Sequence, residues 1–203
     1  MTKEEIKSAL EAQRSEFEST YFVKLAMKGG IENYVRDCLF DELFKSNKSI
    51  ETEVSFPKKD DKINRIDILL WKEKETKLVD YIIELGTNGT WQPSGFGSSH
   101  ARADIERAKQ YIPEHFDKFT VTTIINILNV PEELEHWLRK SYKTKILQRI
   151  INDNLKSLND WDTKFSELDK NYIDLVVYAE WKDVKVSVKF YICQYEYASF
   201  IKS

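Results

Sequence analysis

Asn64-Arg65-Ile66-Asp67-Ile68-Leu69-Leu70-Trp71, then Lys72-Glu73-Lys74-Glu75-Thr76-Lys77, then Leu78-Val79-Asp80-Tyr81-Ile82-Ile83-Glu84-Leu85 are the residues that decide the fold. Two β-rich runs flank a short charged connection, which is the pattern of a hairpin. Ile66, Ile68 and Leu70 are predicted on one face of the first run, with Leu69 and Trp71 on the other. In the second run Tyr81, Ile83 and Leu85 oppose Ile82. Strands apolar on both faces are covered on both faces, so this hairpin is expected near the middle of a sheet with helices packed over it.

Asp67 and Glu84 lie inside these apolar runs, where a charged carboxylate costs several kcal/mol unless it is paired or binds a cation. With the turn centred between Glu75 and Thr76, cross-strand partners have numbers that sum to 151, and Asp67 and Glu84 meet that condition. Directly opposed residues have Cβ atoms roughly 5 Å apart. Two carboxylates at that separation repel each other unless a proton or a divalent cation sits between them. Oxygen ligands of this kind suit Mg²⁺ (or Mn²⁺), with water and substrate phosphate completing the coordination. The alternative is neutralisation of one acid by Arg65 or Arg102.

Outward from the hairpin, Thr2 and Glu5 form a capping-box pattern, and Ile6, Leu10, Phe17 and Tyr21 give an apolar stripe. Gly29-Gly30 breaks the segment. A second helix from Ile31 carries Ile31, Tyr34, Val35, Cys38, Leu39 and Leu43 on one face and Glu32, Arg36 and Asp37 on the other. Glu51 to Phe56 is an expected strand. Gly86 to Ser99 is an irregular loop whose length favours a functional role. Ser98 or Ser99 caps a helix reaching about Ile112, Phe119 to Val130 is a further buried strand, and residues 132 to 157 are expected to be helical. Strands return from Tyr172, with Val184, Val186, Val188 and Phe190 alternating against Lys185, Ser187 and Lys189. The expectation is one α/β domain over residues 1–203. Residues 1–46 are its helical N-terminal part, 51–130 its core sheet and helix, and 131–203 helices and a β-hairpin, with a mixed central β-sheet flanked by helices.

The composition agrees. Hydrophobic residues at 41% and charged residues at 32%, with 6 Gly and 4 Pro in 203 residues, exclude a disordered or fibrous chain. A net charge of −3 gives no global basic field, so any nucleic-acid site is local. The charged first residues lack a signal-peptide pattern, and no apolar run approaches the ~20 residues of a membrane span. A cytoplasmic protein without a membrane partner is expected. Cys38 and Cys193 form no disulfide framework and no zinc pattern, and read as core residues. His100, His115 and His136 share no metal-ligand spacing.

The run Asn64 to Leu70, the charged turn, and Ile82-Ile83-Glu84-Leu85 resemble the core of the PD-(D/E)XK nuclease superfamily, with its restriction-endonuclease-like fold. Glu32 on a preceding helix and the segment Ala103 to Tyr111 follow the same order, so the resemblance covers about residues 30 to 130. It implies that Asp67 and Glu84 hold Mg²⁺. It also implies a lysine two residues beyond the Glu that orients or activates the attacking water, and that position is Gly86. Two readings stay open. In one, a positive group from the following helix, Lys109 or Arg102, replaces the lysine, and the protein is a metal-dependent deoxyribonuclease of restriction or phage defence. In the other, the site is degenerate and the fold binds a partner protein or nucleic acid; loss of Asp67 would then stabilise the fold by removing a like-charge clash. Glu32 is a third metal-ligand candidate through the resemblance, or else a solvated partner of Arg36. Restriction-type nucleases often pair across a two-fold axis, which makes a homodimer an expectation of the active reading.

Two further stretches are candidates for nucleic-acid contact. The loop after Glu84 offers Asn88, Trp91 and Gln92 for bases. Arg139, Lys140 and Lys143, with Lys145 and Arg149, form a local basic stretch suited to phosphates, or else a solvated helix face.

Overall fold

The computed structural model describes residues 1–27, 31–46, 49–57, 63–73, 78–89, 118–129, 158–181 and 183–198. These form helices α1 (Lys3–Ala12), α2 (Arg14–Phe17), α3 (Thr20–Met27) and α4 (Ile31–Ser46), and strands β1 (Ile50–Pro57), β2 (Ile63–Glu73), β3 (Leu78–Gly89) and β4 (Lys118–Asn129). Helix α5 (Leu158–Leu168) and strands β5 (Ile173–Trp181) and β6 (Val184–Ala198) follow. The strands make one six-stranded mixed sheet in the order β1-β2-β3-β4-β6-β5. All neighbours are antiparallel except β3 and β4, which run parallel. The expected mixed α/β architecture is therefore present.

Thr2 opens α1 with a full capping box: its hydroxyl accepts from Glu5 N–H, and the Glu5 carboxylate accepts from Thr2 N–H. Ile6 and Leu10 face inward with Phe17, Phe22 and Val23 of the next two helices and Ile31, Val35, Leu39 and Leu43 of α4. Together they cover one face of the sheet, formed by Ile68, Leu70, Ile83, Leu85, Ile124, Phe190 and Ile192. Tyr21 breaks the predicted stripe: it is 59% exposed and meets Tyr34 edge-on. Arg36, placed by periodicity on the solvent side of α4, is buried. Its guanidinium reaches Glu53 at 2.8 Å and Asp37 at 3.2 Å. The start of the chain is tied to the far end of the fold. Lys3 Nζ donates to Asp169 at 2.7 Å, and the same carboxylate accepts from Gln194 N–H at 3.1 Å.

The opposite face carries Leu69, Ile82 and Val121 in one cluster and Ile125, Tyr191 and Cys193 in another. Helix α5 packs Trp161 and Phe165 onto the second, with the Phe165 ring stacked 4.1 Å from that of Tyr191. No helix is expected at 158–168 from the sequence, although Trp161 and Phe165 stand four apart as on one helix face. Lys189 also departs from expectation. Read as the polar side of an alternating strand, it is buried beneath α5, 2.8 Å from Asp174 and bonded to Asp162.

Ile66 is a further difference, because it lies with Leu69 and Trp71 and not with Ile68. Both β1 and β2 swap faces at one level. Val54 joins the cluster of Ile66, whereas Ile50 lies on the helical side. Between the pairs Thr52↔Ile68 and Val54↔Ile66 the ladder skips Glu53 and Asp67. Glu53 has φ 50, a left-handed conformation that costs a non-glycine residue about 1 kcal/mol. Arg36 holds it there.

Candidate functional site

Strand pairing brings Asp67 and Glu84 to one level, as the hairpin arithmetic predicts, but not as an ordinary cross-strand pair. The β2–β3 register runs Leu70↔Tyr81, Leu69↔Ile82, Ile68↔Ile83. Among the described residues the ladder has no pair beyond that, although β2 continues along β1 to Ile63 and β3 along β4 to Gly89. The sheet splits between β2 and β3, and Asp67 stands at the split. Its Oδ2 accepts the backbone N–H of Leu85 at 2.8 Å, doing the work of a ladder bond. That nitrogen is bonded to Glu84, whose Cα lies about 2.4 Å from it by covalent geometry. The Asp67 carboxylate is thus seated against the backbone of Glu84. Asp67 is half-buried and Glu84 is 3% exposed.

Glu84 points to the face of Ile82 and Val121. Its flanking pairs Ile83↔Thr122 and Leu85↔Ile124 run along the helical side, and Glu84 itself pairs with Thr123. Thr123 is fully buried, and its hydroxyl has no hydrogen-bond partner among the described residues. On the helical side of the same rows, the Tyr81 hydroxyl bonds to Thr122 Oγ1 and accepts from Gln194 Nε2. Burial pushes the Tyr81 phenol up to about 12, so it stays a neutral donor.

Gly86 and the three residues after it are strand and not loop: they continue β3, with Gly86 opposite Ile125 and Asn88 opposite Ile127. A Cβ at Gly86 would stand 2.9 Å from Ile125 Cδ1. Ile125 belongs to the cluster that Trp161 and Phe165 press down from α5. The position where the superfamily resemblance expects a lysine is therefore filled from the neighbouring strand.

Two carboxylates, one of them oriented by a backbone N–H, are hard oxygen donors of the kind Mg²⁺ takes with water and phosphate oxygens, and in that sense the residues fit a divalent cation. No group of three or more His, Cys, Asp or Glu side chains able to hold a metal occurs among the described residues, so Glu32 is not gathered with Asp67 and Glu84 into such a trio. Glu32 lies in the first turn of α4, partly buried. Lys109, Arg102, Trp91, Gln92, Arg139, Lys140 and Lys143 lie outside the described residues, as do Gly29-Gly30, the three histidines and the helices expected up to Ile112 and over 132–157.

A second polar group is one that no sequence motif marks. Asp162 of α5 accepts from Lys189 Nζ, from Tyr191 Oη at 2.7 Å and from Tyr172 Oη at 3.4 Å. Burial alone would raise the Asp162 carboxyl, but the Lys189 and Tyr191 bonds outweigh it and hold it below its ordinary value. Lys189 shows the mirror image: burial works against its charge, and the two aspartates hold its value above the ordinary one. Every charge here has a structural partner, so the cluster reads as the clasp of α5. An open depression of about 360 Å³, lined by Glu18, Thr20, Tyr178, Ala179, Glu180 and Lys185, lies on β5 and involves neither Asp67 nor Glu84.

Comparison with protein-family models, curated proteins and solved structures finds no match to this chain. No described helix is long and apolar enough to cross a membrane.

Proposed function

We propose that the chain is a divalent-cation-dependent deoxyribonuclease of the PD-(D/E)XK type, with Asp67 and Glu84 as its cation ligands. The observation that carries this reading is the Asp67–Leu85 hydrogen bond, which seats the Asp67 carboxylate against the backbone beside Glu84, itself buried, where the central sheet splits. A mixed central sheet with helices against it is the coarse architecture that the resemblance implies, and its presence supports the same reading.

In this proposal Asp67 contributes the oxygen not committed to Leu85, and Glu84 a carboxylate desolvated by the sheet. A divalent cation bound there would lower the pKa of its water and offset charge developing on the phosphate. Gly86 supplies no cationic group, so the lysine's role passes to a residue elsewhere in the chain, with Lys109 and Arg102 as the candidates. DNA is the proposed substrate, and Arg139, Lys140 and Lys143 the proposed phosphate contacts.

The test is cleavage of plasmid and single-stranded DNA with Mg²⁺ or Mn²⁺ by the wild type and by Glu84→Ala. Cleavage by the wild type and its loss in the variant supports the enzyme. The fit of Ile125 over Gly86 favours a second reading, a nuclease fold retained for binding alone. A folded protein that cleaves neither substrate with either metal, yet retains DNA in a gel-shift assay, would decide for it.

A further inference from the structure

Thr123 occupies the middle of the sheet on the face opposite the N-terminal helices. Its Cα partners are Glu84 on β3 and Cys193 on β6. Along its own strand the same-face neighbours are Val121 and Ile125, both fully buried. Of these four side chains, the Glu84 carboxylate is the one strong hydrogen-bond acceptor. Adjacent strands stand about 4.8 Å apart, which lets a threonine hydroxyl reach a carboxylate on the neighbouring position. Yet the hydroxyl, fully buried, makes no hydrogen bond among the described residues. Valine has the same shape and would carry no such desolvation penalty, so packing alone gives no reason for a hydroxyl here.

We propose that Thr123 is a positioning residue for Glu84, its hydroxyl donating to that carboxylate when a divalent cation is held there. The inference rests on the reading of Asp67 and Glu84 as cation ligands. Ligating carboxylates are commonly held by an outer hydrogen bond that fixes their orientation, and loss of such a partner weakens metal binding by about 10- to 100-fold. Leu85 N–H plays that part for Asp67, and Thr123 plays it for Glu84. The hydroxyl therefore acts in the loaded state and is a burden in the empty one.

That opposition of signs is the test. Mn²⁺ is titrated calorimetrically into the full chain as wild type, Glu84→Gln, Thr123→Val and Thr123→Ser, and thermal unfolding is followed without metal. Thr123→Val is expected to raise the cation-free Tm by roughly 2–4 °C and to weaken Mn²⁺ binding about tenfold. Thr123→Ser keeps the hydroxyl and binds within about twofold of wild type, whereas Glu84→Gln abolishes binding. Thr123→Ala, which also lacks the hydroxyl, gives the same binding readout should valine not pack. If Glu84→Gln abolishes binding and the hydroxyl-free variants bind as the wild type does, the role of Thr123 is overturned and the cation site stands. If the wild type binds no Mn²⁺, the cation site itself falls and the role of Thr123 with it.

Discussion

Placing an alanine at Gly86 sets two opposing effects against each other, and the structure says how to separate them. The new Cβ would lie 2.9 Å from Ile125 Cδ1, where carbon atoms prefer about 3.5–4.0 Å. Ile125 has to withdraw by at least ~0.6 Å to restore that contact. It has little space to do so, because it is fully buried in the cluster with Trp161, Phe165 and Tyr191. Overpacking of this kind costs about 1–3 kcal/mol. Against it, alanine gains about 0.5–1 kcal/mol over glycine in a strand by restricting the unfolded chain. Gly86→Ala alone should therefore lose up to about 2.5 kcal/mol. Ile125→Val removes the offending methyl and by itself costs about 0.5–1.5 kcal/mol. In that background Gly86→Ala should become neutral or stabilising, giving a coupling energy of about 1–3 kcal/mol between the two sites. Urea unfolding of the four proteins, followed by tryptophan fluorescence, measures it. Additivity within ~0.5 kcal/mol would refute the claim that Ile125 is what excludes a side chain at Gly86.

Asp67→Ala leaves the buried Leu85 N–H without its acceptor and should cost about 1–3 kcal/mol in the absence of metal. Asp67→Asn keeps an acceptor oxygen and should lose less than half of that, and a gain for the alanine variant in chemical denaturation would contradict the hydrogen bond as read. This reverses the expectation that removing one of two like charges helps. Asp162 is held below its ordinary value of 3.8, so its contribution is fully present above about that pH and is lost as pH falls through the lowered value. Asp162→Asn should accordingly be less stable at neutral pH and show a flatter acid limb in pH-dependent melting; an unchanged slope below pH ~4 would disprove the clasp. Thr2→Ala removes one side of the capping box and should lower Tm by roughly 2–4 °C, a loss of about 1 kcal/mol.

The central hairpin was legible because its rules are local. Alternating apolar faces and a short charged connection fixed Ile68 opposite Ile83, and the Thr2–Glu5 box announced α1. The place of Ile66 is not legible within β2, because the swap of faces at Asp67 coincides with a swap at Glu53, on a different strand, which is paired with Arg36 of a helix. No periodicity within β2 records that. Gly86 to Gly89 read as loop because their residue types are turn formers, and parallel pairing with β4 overrides that preference. Lys189 alternates like a surface lysine; only the packing of α5 turns its position into an interior one. Of the candidate site, the two carboxylates could be named from sequence. The Leu85 N–H that orients one of them and the Thr123 hydroxyl beside the other could not, because both depend on which strands become neighbours.

Among the described residues strand β5 is an outermost strand, hydrogen-bonded within the sheet to β6 alone. Two of its carbonyls are occupied nonetheless: Val176 O accepts from the Arg14 guanidinium at 3.4 Å and Glu180 O from the Thr20 hydroxyl at 3.3 Å. An exposed strand edge is a template on which another chain can add a strand, and proteins blunt such edges with charged groups or covering elements. Helices α2 and α3 thereby act as a guard against self-association as well as a roof for the core. A chain made without its first residues up to Met27 would lose both donors at once. It would be expected to accumulate as β-rich aggregates, and to do so even where the remaining sheet could still form.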